Sequence, residues 1–181
     1  MEEQKEVETN SIQEQLLRMG ITSIIYKDNT YDSNDMISGG CTTNMVVHRM
    51  KTNPNFYFIV VNGEFLWLVP RNIVMNSSYI QNKLNGVFQD STPNKWNDET
   101  NTFDQEGTGS PLLIVDIPEE IQMSSFIILE LGKIIKNYFE IPSCQWNRQH
   151  KMILYLILDE PYKSILDFLG FEINYESINE L

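Results

Sequence analysis

Two apolar runs joined by Asn62-Gly63 form the strongest hydrophobic pattern in the chain, at residues 56–70. Both runs are rich in β-branched and aromatic residues, which favour strands. Asn-Gly between such runs predicts a β-hairpin, because a type I′ turn requires positive φ at both central residues. The runs are almost continuously apolar without strict alternation, which indicates that both faces of the strands are covered. We therefore predict that this hairpin, closed by Pro70, is the centre of a sheet.

The best helical pattern lies at residues 123–139, where apolar residues repeat at helical spacing. Ser124 or Ser125 provides an N-cap, and Gly132 is either a close-packing point or a mild defect within the helix. Shorter patterns predict further elements. The helices lie at residues 11–20, 75–84 and 160–169, and the strands at residues 21–26, 44–50, 86–89, 112–117, 152–158 and 171–175.

These elements predict one α+β domain at residues 11–181, preceded by a flexible acidic tail at residues 1–10. We expect a mixed or mainly antiparallel central sheet of about five to seven strands, with about two to four helices packed on it. The helix at residues 123–139 is expected to cover one face of the hairpin. The N-terminal helix or the helix at residues 160–169 is expected to cover the other face.

Residues 90–111 form the longest stretch without secondary-structure periodicity, and we predict a long acidic loop there. Long loops inside compact domains tend to be functional or disordered, and a disordered linker rarely carries two large aromatic side chains. Trp96 and Phe103 therefore either pin the loop to the body of the protein or anchor a binding partner. Lys95 is the one basic residue of the stretch, and its acidic residues are Asp90, Asp98, Glu99, Asp104 and Glu106.

The composition of the 181-residue chain restricts the class of partner. Its formal net charge is −12, and its 13 basic residues are scattered along the sequence. A nucleic-acid binder without sequence specificity needs a basic surface, and so does a peripheral binder of anionic membranes, so neither is expected. No apolar run reaches the length of about 18 residues that a membrane span requires. A strong acidic charge favours solubility and attraction to basic partners.

The cysteines and the N-terminus predict the compartment. Cys41 and Cys144 are the two cysteines, and neither their number nor their spacing suggests a disulfide framework or a metal motif. The N-terminal segment is acidic and lacks the apolar region of a signal peptide. These features predict an intracellular, cytoplasmic protein with reduced thiols.

No metal-binding motif is complete in the sequence. Asp28, Asp32 and Asp35 lie in turn-forming sequence that invites comparison with a calcium loop. An EF-hand loop needs a central glycine and a bidentate glutamate, and Ser33 and Gly39 stand at those positions. We therefore predict no metal site here.

No catalytic constellation is assembled either. His48 and His150 are the two histidines, and no nucleophile elbow lies near His48. Cys144 and His150 are close in sequence, but a structural cysteine is favoured over a thiol–base pair. We therefore predict no catalytic residue and no cofactor.

The last third of the chain reads strand, long helix, strand, short helix and strand, with Leu169-Gly170-Phe171-Glu172 at the end of the short helix. This order of elements and this local sequence resemble the C-terminal half of the GNAT acyltransferase family, over roughly residues 112–176. The resemblance implies that the strand at residues 112–117 precedes the pyrophosphate loop of acetyl-CoA. It also implies that the next helix receives the pyrophosphate at its N-terminus.

The sequence departs from this family at the positions that carry its chemistry. The phosphate loop of the family needs glycines where this chain, aligned from Gln122, has Ser125 and Ile127. Leu166 stands where the family has a general-acid tyrosine, and a leucine cannot donate a proton. The resemblance therefore implies either a related fold that has lost its cofactor or a common α/β arrangement.

Three functional hypotheses follow. The first is a non-enzymatic acidic binding or inhibitor protein that recognises a basic protein partner, as immunity proteins and phage or viral inhibitors do. The alternatives are a divergent GNAT-like acyltransferase that uses acetyl-CoA and a structural subunit of a larger assembly. For the first hypothesis, the predicted partner-binding residues are Trp96, Asp98, Glu99, Phe103, Asp104 and Glu106.

Overall fold

The structure, a computed structural model, describes residues 18–26, 29–32, 56–86, 93–100 and 102–181. Within these residues the strands are β1 (Ser23–Tyr26), β2 (Asn29–Asp32), β3 (Phe56–Val61), β4 (Phe65–Pro70), β5 (Lys95–Asn97), β6 (Thr102–Asp104) and β7 (Leu112–Val115). The α-helices are α1 (Arg71–Val74), α2 (Ser78–Leu84), α3 (Ser125–Glu140), α4 (Arg148–Leu154), α5 (Tyr162–Phe168) and α6 (Tyr175–Asn179). Two 3₁₀ helices lie at Ser143–Gln145 and Tyr155–Leu158.

The central element is a five-stranded mixed sheet with the strand order β2-β1-β4-β3-β7. The pairs β1–β2 and β3–β4 are antiparallel, and the pairs β1–β4 and β3–β7 are parallel. Helices pack on this sheet, so the predicted α+β class with a mixed central sheet is confirmed. The described residues contain six α-helices, which is more than the sequence pattern predicts.

The hairpin of β3 and β4 lies inside the sheet, as predicted. Asn62 and Gly63 have φ values of 52° and 69°, and the Glu64 N–H donates to the Val61 carbonyl at 3.1 Å. Positive φ at both central residues is the geometry of the type I′ turn. Side chains along the two strands alternate between two separate apolar clusters. The hairpin is therefore covered on both faces, which explains its continuous apolarity.

One face of the sheet, the helix face, carries the larger core. Helix α3 begins as predicted, with the Ser124 hydroxyl accepting the N–H of Ile127 at 3.2 Å. Its fully buried residues include Ile128, Ile134 and Ile135. Side chains of α4 and α5 join the same core, together with sheet residues such as Ile25, Ile59, Trp67, Leu113 and Val115.

Gly132 packs against Trp67 of β4. A Cβ built on Gly132 would lie 3.6 Å from the Trp67 ring, which is ordinary van der Waals contact. The glycine therefore lies at the contact between α3 and the sheet, but the helix does not need to approach so closely that only glycine fits. Of the two predicted interpretations, the mild defect describes it, because the glycine lowers helix propensity without a close approach that requires it.

The chain after α3 is helical where its pattern predicts strands. The strand predicted at residues 152–158 is wrong, because these residues lie in α4 and the following 3₁₀ helix. Asn147 begins α4 through a capping box: its side chain accepts the N–H of His150 at 2.9 Å, and Nδ1 of His150 accepts the N–H of Asn147 at 3.1 Å. This cap directs the apolar run after it into a helix.

The strand predicted at residues 171–175 is also wrong. Phe171 forms an isolated bridge with Ser77, and α6 begins at Tyr175. Two strands in the element order that carries the GNAT resemblance are therefore absent, and the resemblance remains a prediction.

Ser77 joins α2 to the end of α5. Its hydroxyl is fully buried, donates to the Leu169 carbonyl at 2.6 Å and accepts the N–H of Ile80 at 3.1 Å. Gly170 follows with a φ of 71°, and a Cβ there would lie 1.9 Å from Oγ of Ser78. The positive φ favours glycine at this junction, and a larger residue would also displace the Ser78 hydroxyl.

The opposite face of the sheet is called the hairpin face, after the β5–β6 hairpin that packs on it, and its core is the smaller one among the described residues. Phe58, Val60, Leu66 and Leu68 point into it, and Trp96 of β5 is buried against them. The prediction that the helix at residues 160–169 covers this face is wrong, because Ile165 and Leu166 of α5 belong to the helix-face core.

Several predictions lie outside the described residues. They concern the tail at residues 1–10, most of the helix at 11–20, the strands at 44–50 and 87–89, and Cys41, His48 and Asp90. The side chains of the calcium-loop comparison, Asp28, Asp32 and Asp35, also lie outside the described part. None of the helices in the described ranges combines the length and the apolarity that crossing a membrane requires.

Candidate partner-binding hairpin

Strands β5 and β6 form a small antiparallel sheet where the sequence pattern predicts a loop. Strands β5 and β6 pair in the register Lys95 with Asp104 and Trp96 with Phe103. On the other side of β5, the Trp96 N–H donates to the Ser110 carbonyl at 3.0 Å, and the Gly109 N–H donates back to the Trp96 carbonyl at 2.9 Å. The chain then continues directly into β7. The acidic segment is thus an ordered hairpin, joined by backbone hydrogen bonds to the edge of the central sheet.

Trp96 and Phe103 hold this hairpin on the hairpin face. Trp96 is 1% exposed, and its ring meets that of Phe103 edge-on at 5.3 Å between centroids. Phe103 in turn contacts Phe58 of β3, with ring centroids 6.0 Å apart. The structure therefore shows the first predicted alternative, in which the aromatics pin the segment to the body. Trp96 is too deeply buried to touch a partner directly.

Asp98 and Asp104 stabilise the hairpin itself. The indole N–H of Trp96 donates to Asp98 at 2.7 Å, which satisfies the one polar atom of the buried ring. Asp104 accepts from the Asn97 amide at 3.0 Å and from the Glu106 backbone N–H at 3.0 Å. Carboxylates with such partners hold the turns in shape, because hydrogen bonds to charged acceptors are the stronger ones.

Glu99 and Glu106 lie on the outside of the same hairpin. Both side chains are exposed. Only their backbone N–H groups are tied down, to Asn97 at 3.0 Å and to Asp104 at 3.0 Å. Within the described residues, neither carboxylate has a hydrogen-bond or ion-pair partner. The hairpin therefore presents two exposed carboxylates that have no partner among the described residues, on a backbone held by hydrogen bonds.

Gly107 is a structural residue of this hairpin that sequence reasoning does not identify. A Cβ at this position would lie 2.0 Å from the Lys95 carbonyl oxygen. The backbone of Gly107 thus crosses β5 at a distance that only glycine permits. The signal in the sequence is weak, because Gly107 and Gly109 resemble ordinary loop glycines.

Charge on the described surface is largely unpaired. Lys133 and Glu130, 3.4 Å apart, form the one ion pair found between described residues. No group of three or more potential metal ligands comes together in the same ranges. Several acidic side chains accept internal hydrogen bonds instead, as Glu140 does from the Asn72 amide at 2.7 Å.

Cys144 and His150 do not form a thiol–base pair in the structure. Cys144 is a free, exposed cysteine in the first 3₁₀ helix. His150 uses Nδ1 in the capping box of α4. His150 therefore has a structural role in the helix cap, whereas the role of Cys144 stays a prediction.

No protein-family model, no curated protein and no solved structure matches this chain significantly.

Proposed function

We propose that this protein is an acidic binding protein that recognises a basic protein partner through the hairpin of β5 and β6. The observation that supports the proposal is that different residues of the hairpin anchor it and face the solvent. Trp96 and Phe103 fix it to the sheet, whereas the exposed carboxylates of Glu99 and Glu106 have no partner among the described residues. A segment that is already held in place by packing loses less conformational entropy when it binds.

The net charge of −12 strengthens this proposal through long-range attraction. A field of one sign accelerates the encounter with an oppositely charged partner, and complementary charges suppress wrong partners. Inhibitors of basic, nucleic-acid-handling proteins need both properties. The proposal is therefore of an immunity-protein or phage- or virus-type inhibitor that acts inside the cell.

The test compares two charge reversals of equal size. Glu99→Lys with Glu106→Lys alters the hairpin, and Glu172→Lys with Glu180→Lys alters exposed residues near the C-terminus. Each tagged variant is used to capture partners from the native host. We expect the wild type and the C-terminal variant to retain the same basic partner, and the hairpin variant to lose it. Asp98 and Asp104 are left unchanged, because their loss would also unfold the hairpin.

Equal capture by both variants would contradict the proposal. So would a partner that is itself acidic, since like charges repel. The acyltransferase hypothesis is tested separately with millimolar acetyl-CoA, because a ligand that binds the native state raises its melting temperature. We expect no shift, and a clear rise would favour that hypothesis over the present one.

A further inference from the structure

Strand β7 has an open outer edge. It is the last strand in the order β2-β1-β4-β3-β7. The Phe58 N–H donates to the Pro111 carbonyl at 3.2 Å and the Asn62 N–H to the Val115 carbonyl at 3.0 Å. The backbone groups of the odd-numbered residues therefore point towards β3. Backbone groups alternate along a strand, so those of Leu112 and Ile114 point outward.

Only part of this outer edge is occupied by described residues. The Leu112 N–H donates to the Asn94 carbonyl at 2.8 Å, where the small hairpin joins the sheet. Nζ of Lys83 donates to the Ile114 carbonyl at 2.8 Å. Among the residues that the structure describes, the Leu112 carbonyl and the Ile114 N–H have no partner. Lysine at a strand edge is a common device against unwanted pairing.

The side chain of Ile114 is unusually exposed for its place in the sheet. It is 55% exposed, whereas Leu113 and Val115 on either side are 2% exposed. The side chain lies beside the open backbone groups of the same strand. An exposed β-branched residue on an open edge is suited to contact with an added strand.

Acidic residues follow this edge directly. Asp116 comes immediately after β7, and Glu119 and Glu120 lie in the next turn. All three are exposed, and none forms an ion pair with another described residue. An extended segment that pairs with β7 would therefore pass carboxylates where the strand ends.

We propose that the outer edge of β7 accepts an extended, basic segment of the partner as an additional strand. Backbone hydrogen bonds to Leu112 and Ile114 provide the affinity of such β-augmentation, and side chains provide its specificity. The segment places an apolar residue against Ile114 and Lys or Arg near Asp116. This inference rests on the proposed function, because it assigns a second contact to the same basic partner.

Lys83 has a gating role in this arrangement. Its ammonium group donates a hydrogen bond to the Ile114 carbonyl and lies 5.5 Å from the centre of the Tyr79 ring. An incoming basic strand must displace it from that carbonyl. Lys83→Met keeps the aliphatic stem and removes the charge, so we expect it to tighten binding of a basic strand by about threefold.

The probes are two short synthetic peptides that alternate valine and threonine. One peptide has lysine at both ends, and its matched control has glutamate at both ends. Each is titrated into the full-length protein, and amide hydrogen exchange and amide chemical shifts are recorded. We expect the lysine peptide to slow exchange of the Ile114 amide by about tenfold or more. The glutamate peptide should leave that amide unchanged.

Two variants test whether the peptide binds at the outer edge of β7. Ile114→Pro removes the outward N–H while the ladder to β3 keeps its bonds, so binding of the lysine peptide should weaken about tenfold. Asp116→Lys with Glu119→Lys leaves the strand intact. This double substitution should weaken binding of the lysine peptide at low salt only. The second variant decides the question if the proline variant does not fold.

The inference is overturned if the lysine peptide leaves the Ile114 amide unprotected, or if both peptides protect it equally. These results do not involve Glu99 or the native partner. A failure here, with partner capture still dependent on Glu99 and Glu106, would remove the edge site and leave the proposed function standing. Protection of Ile114 without such dependence would instead remove the proposed role of the hairpin.

Discussion

The two faces of the central sheet are covered by different means. The helix face is buried by α3, α4 and α5, whose apolar side chains form the larger core. On the hairpin face, the described cover is the short β5–β6 hairpin, held by Trp96 and Phe103. Burial by long helices yields stability, whereas a small hairpin fixed by two aromatics can present charged turns to solvent. We infer that the helix face supplies the scaffold and the hairpin face supplies the recognition surface.

The largest effect is expected from Trp96→Ala, which breaks the hairpin face alone. The substitution leaves a cavity and removes the indole N–H that donates a hydrogen bond to Asp98. We therefore expect the free energy of unfolding to fall by about 3–5 kcal/mol. Denaturant unfolding measures the loss, and hydrogen exchange locates it. Amides of β5 and β6 should lose more protection than those of α3, because they open locally as well as through global unfolding. Equal loss on both faces would contradict the division between them.

Ser77→Ala removes the hydroxyl that links α2 to the end of α5 on the helix face. The buried hydroxyl caps α2 and bonds to the Leu169 carbonyl, so its removal should cost about 1–3 kcal/mol. Ser78→Ala is the matched control, since its exposed hydroxyl bonds to the Gly170 carbonyl at 3.2 Å. The control should cost well under half as much in chemical denaturation. Similar losses for the two serines would show that burial of Ser77 is unimportant.

Gly132→Ala should stabilise the helix face. The new methyl group meets the Trp67 ring at ordinary contact distance, so the gain in helix propensity of about 0.5–1 kcal/mol is expected to appear as a raised midpoint of denaturation. Gly170→Ala is the contrasting variant, because positive φ and the Ser78 hydroxyl both oppose it. A destabilised Gly132→Ala variant would mean that α3 lies closer to the sheet than described.

The smallest effect concerns pH at the C-terminal end of the helix face. Burial, followed by the hydrogen bond to Asp167 and nearby negative charges, raises the pKa of Tyr175 from 10.0 to about 12. A pKa that is higher in the folded state means that the stabilisation is complete below pH 10. It is lost as the pH rises from 10 towards 12. Tyr175→Phe should reduce the slope of stability against pH in this window, and an unchanged slope would contradict the assignment.

The sequence predicts the centre of the fold better than its periphery. The Asn62-Gly63 turn and the apolar period of α3 are local signals, and both elements form where they are predicted. The run at residues 152–158 shows the limit, because a short, fully apolar segment does not distinguish a strand from a buried helix. The signal that would have identified it is Asn147, whose side chain caps the helix.

The candidate site was partly visible in the sequence. Its acidic and aromatic residues are recognisable from composition, but β5 and β6 have only three residues each and lack a measurable period. Asp98 and Asp104 accept hydrogen bonds within the folded hairpin, whereas the carboxylates of Glu99 and Glu106 are exposed. This difference in role arises only in the folded hairpin. The same holds for Gly107, which is required only because the chain crosses Lys95. Neither distinction can be derived from residue type and spacing.

The most direct test of the account is the association rate of the captured partner as a function of ionic strength. The wild type, the Glu99→Lys with Glu106→Lys variant and the Glu172→Lys with Glu180→Lys control are compared by rapid mixing. We predict that the hairpin variant associates about tenfold more slowly at low salt and has the weakest salt dependence, while the control stays close to the wild type. Equal rates and equal salt dependence for the two variants would contradict the claim that this hairpin is the recognition surface.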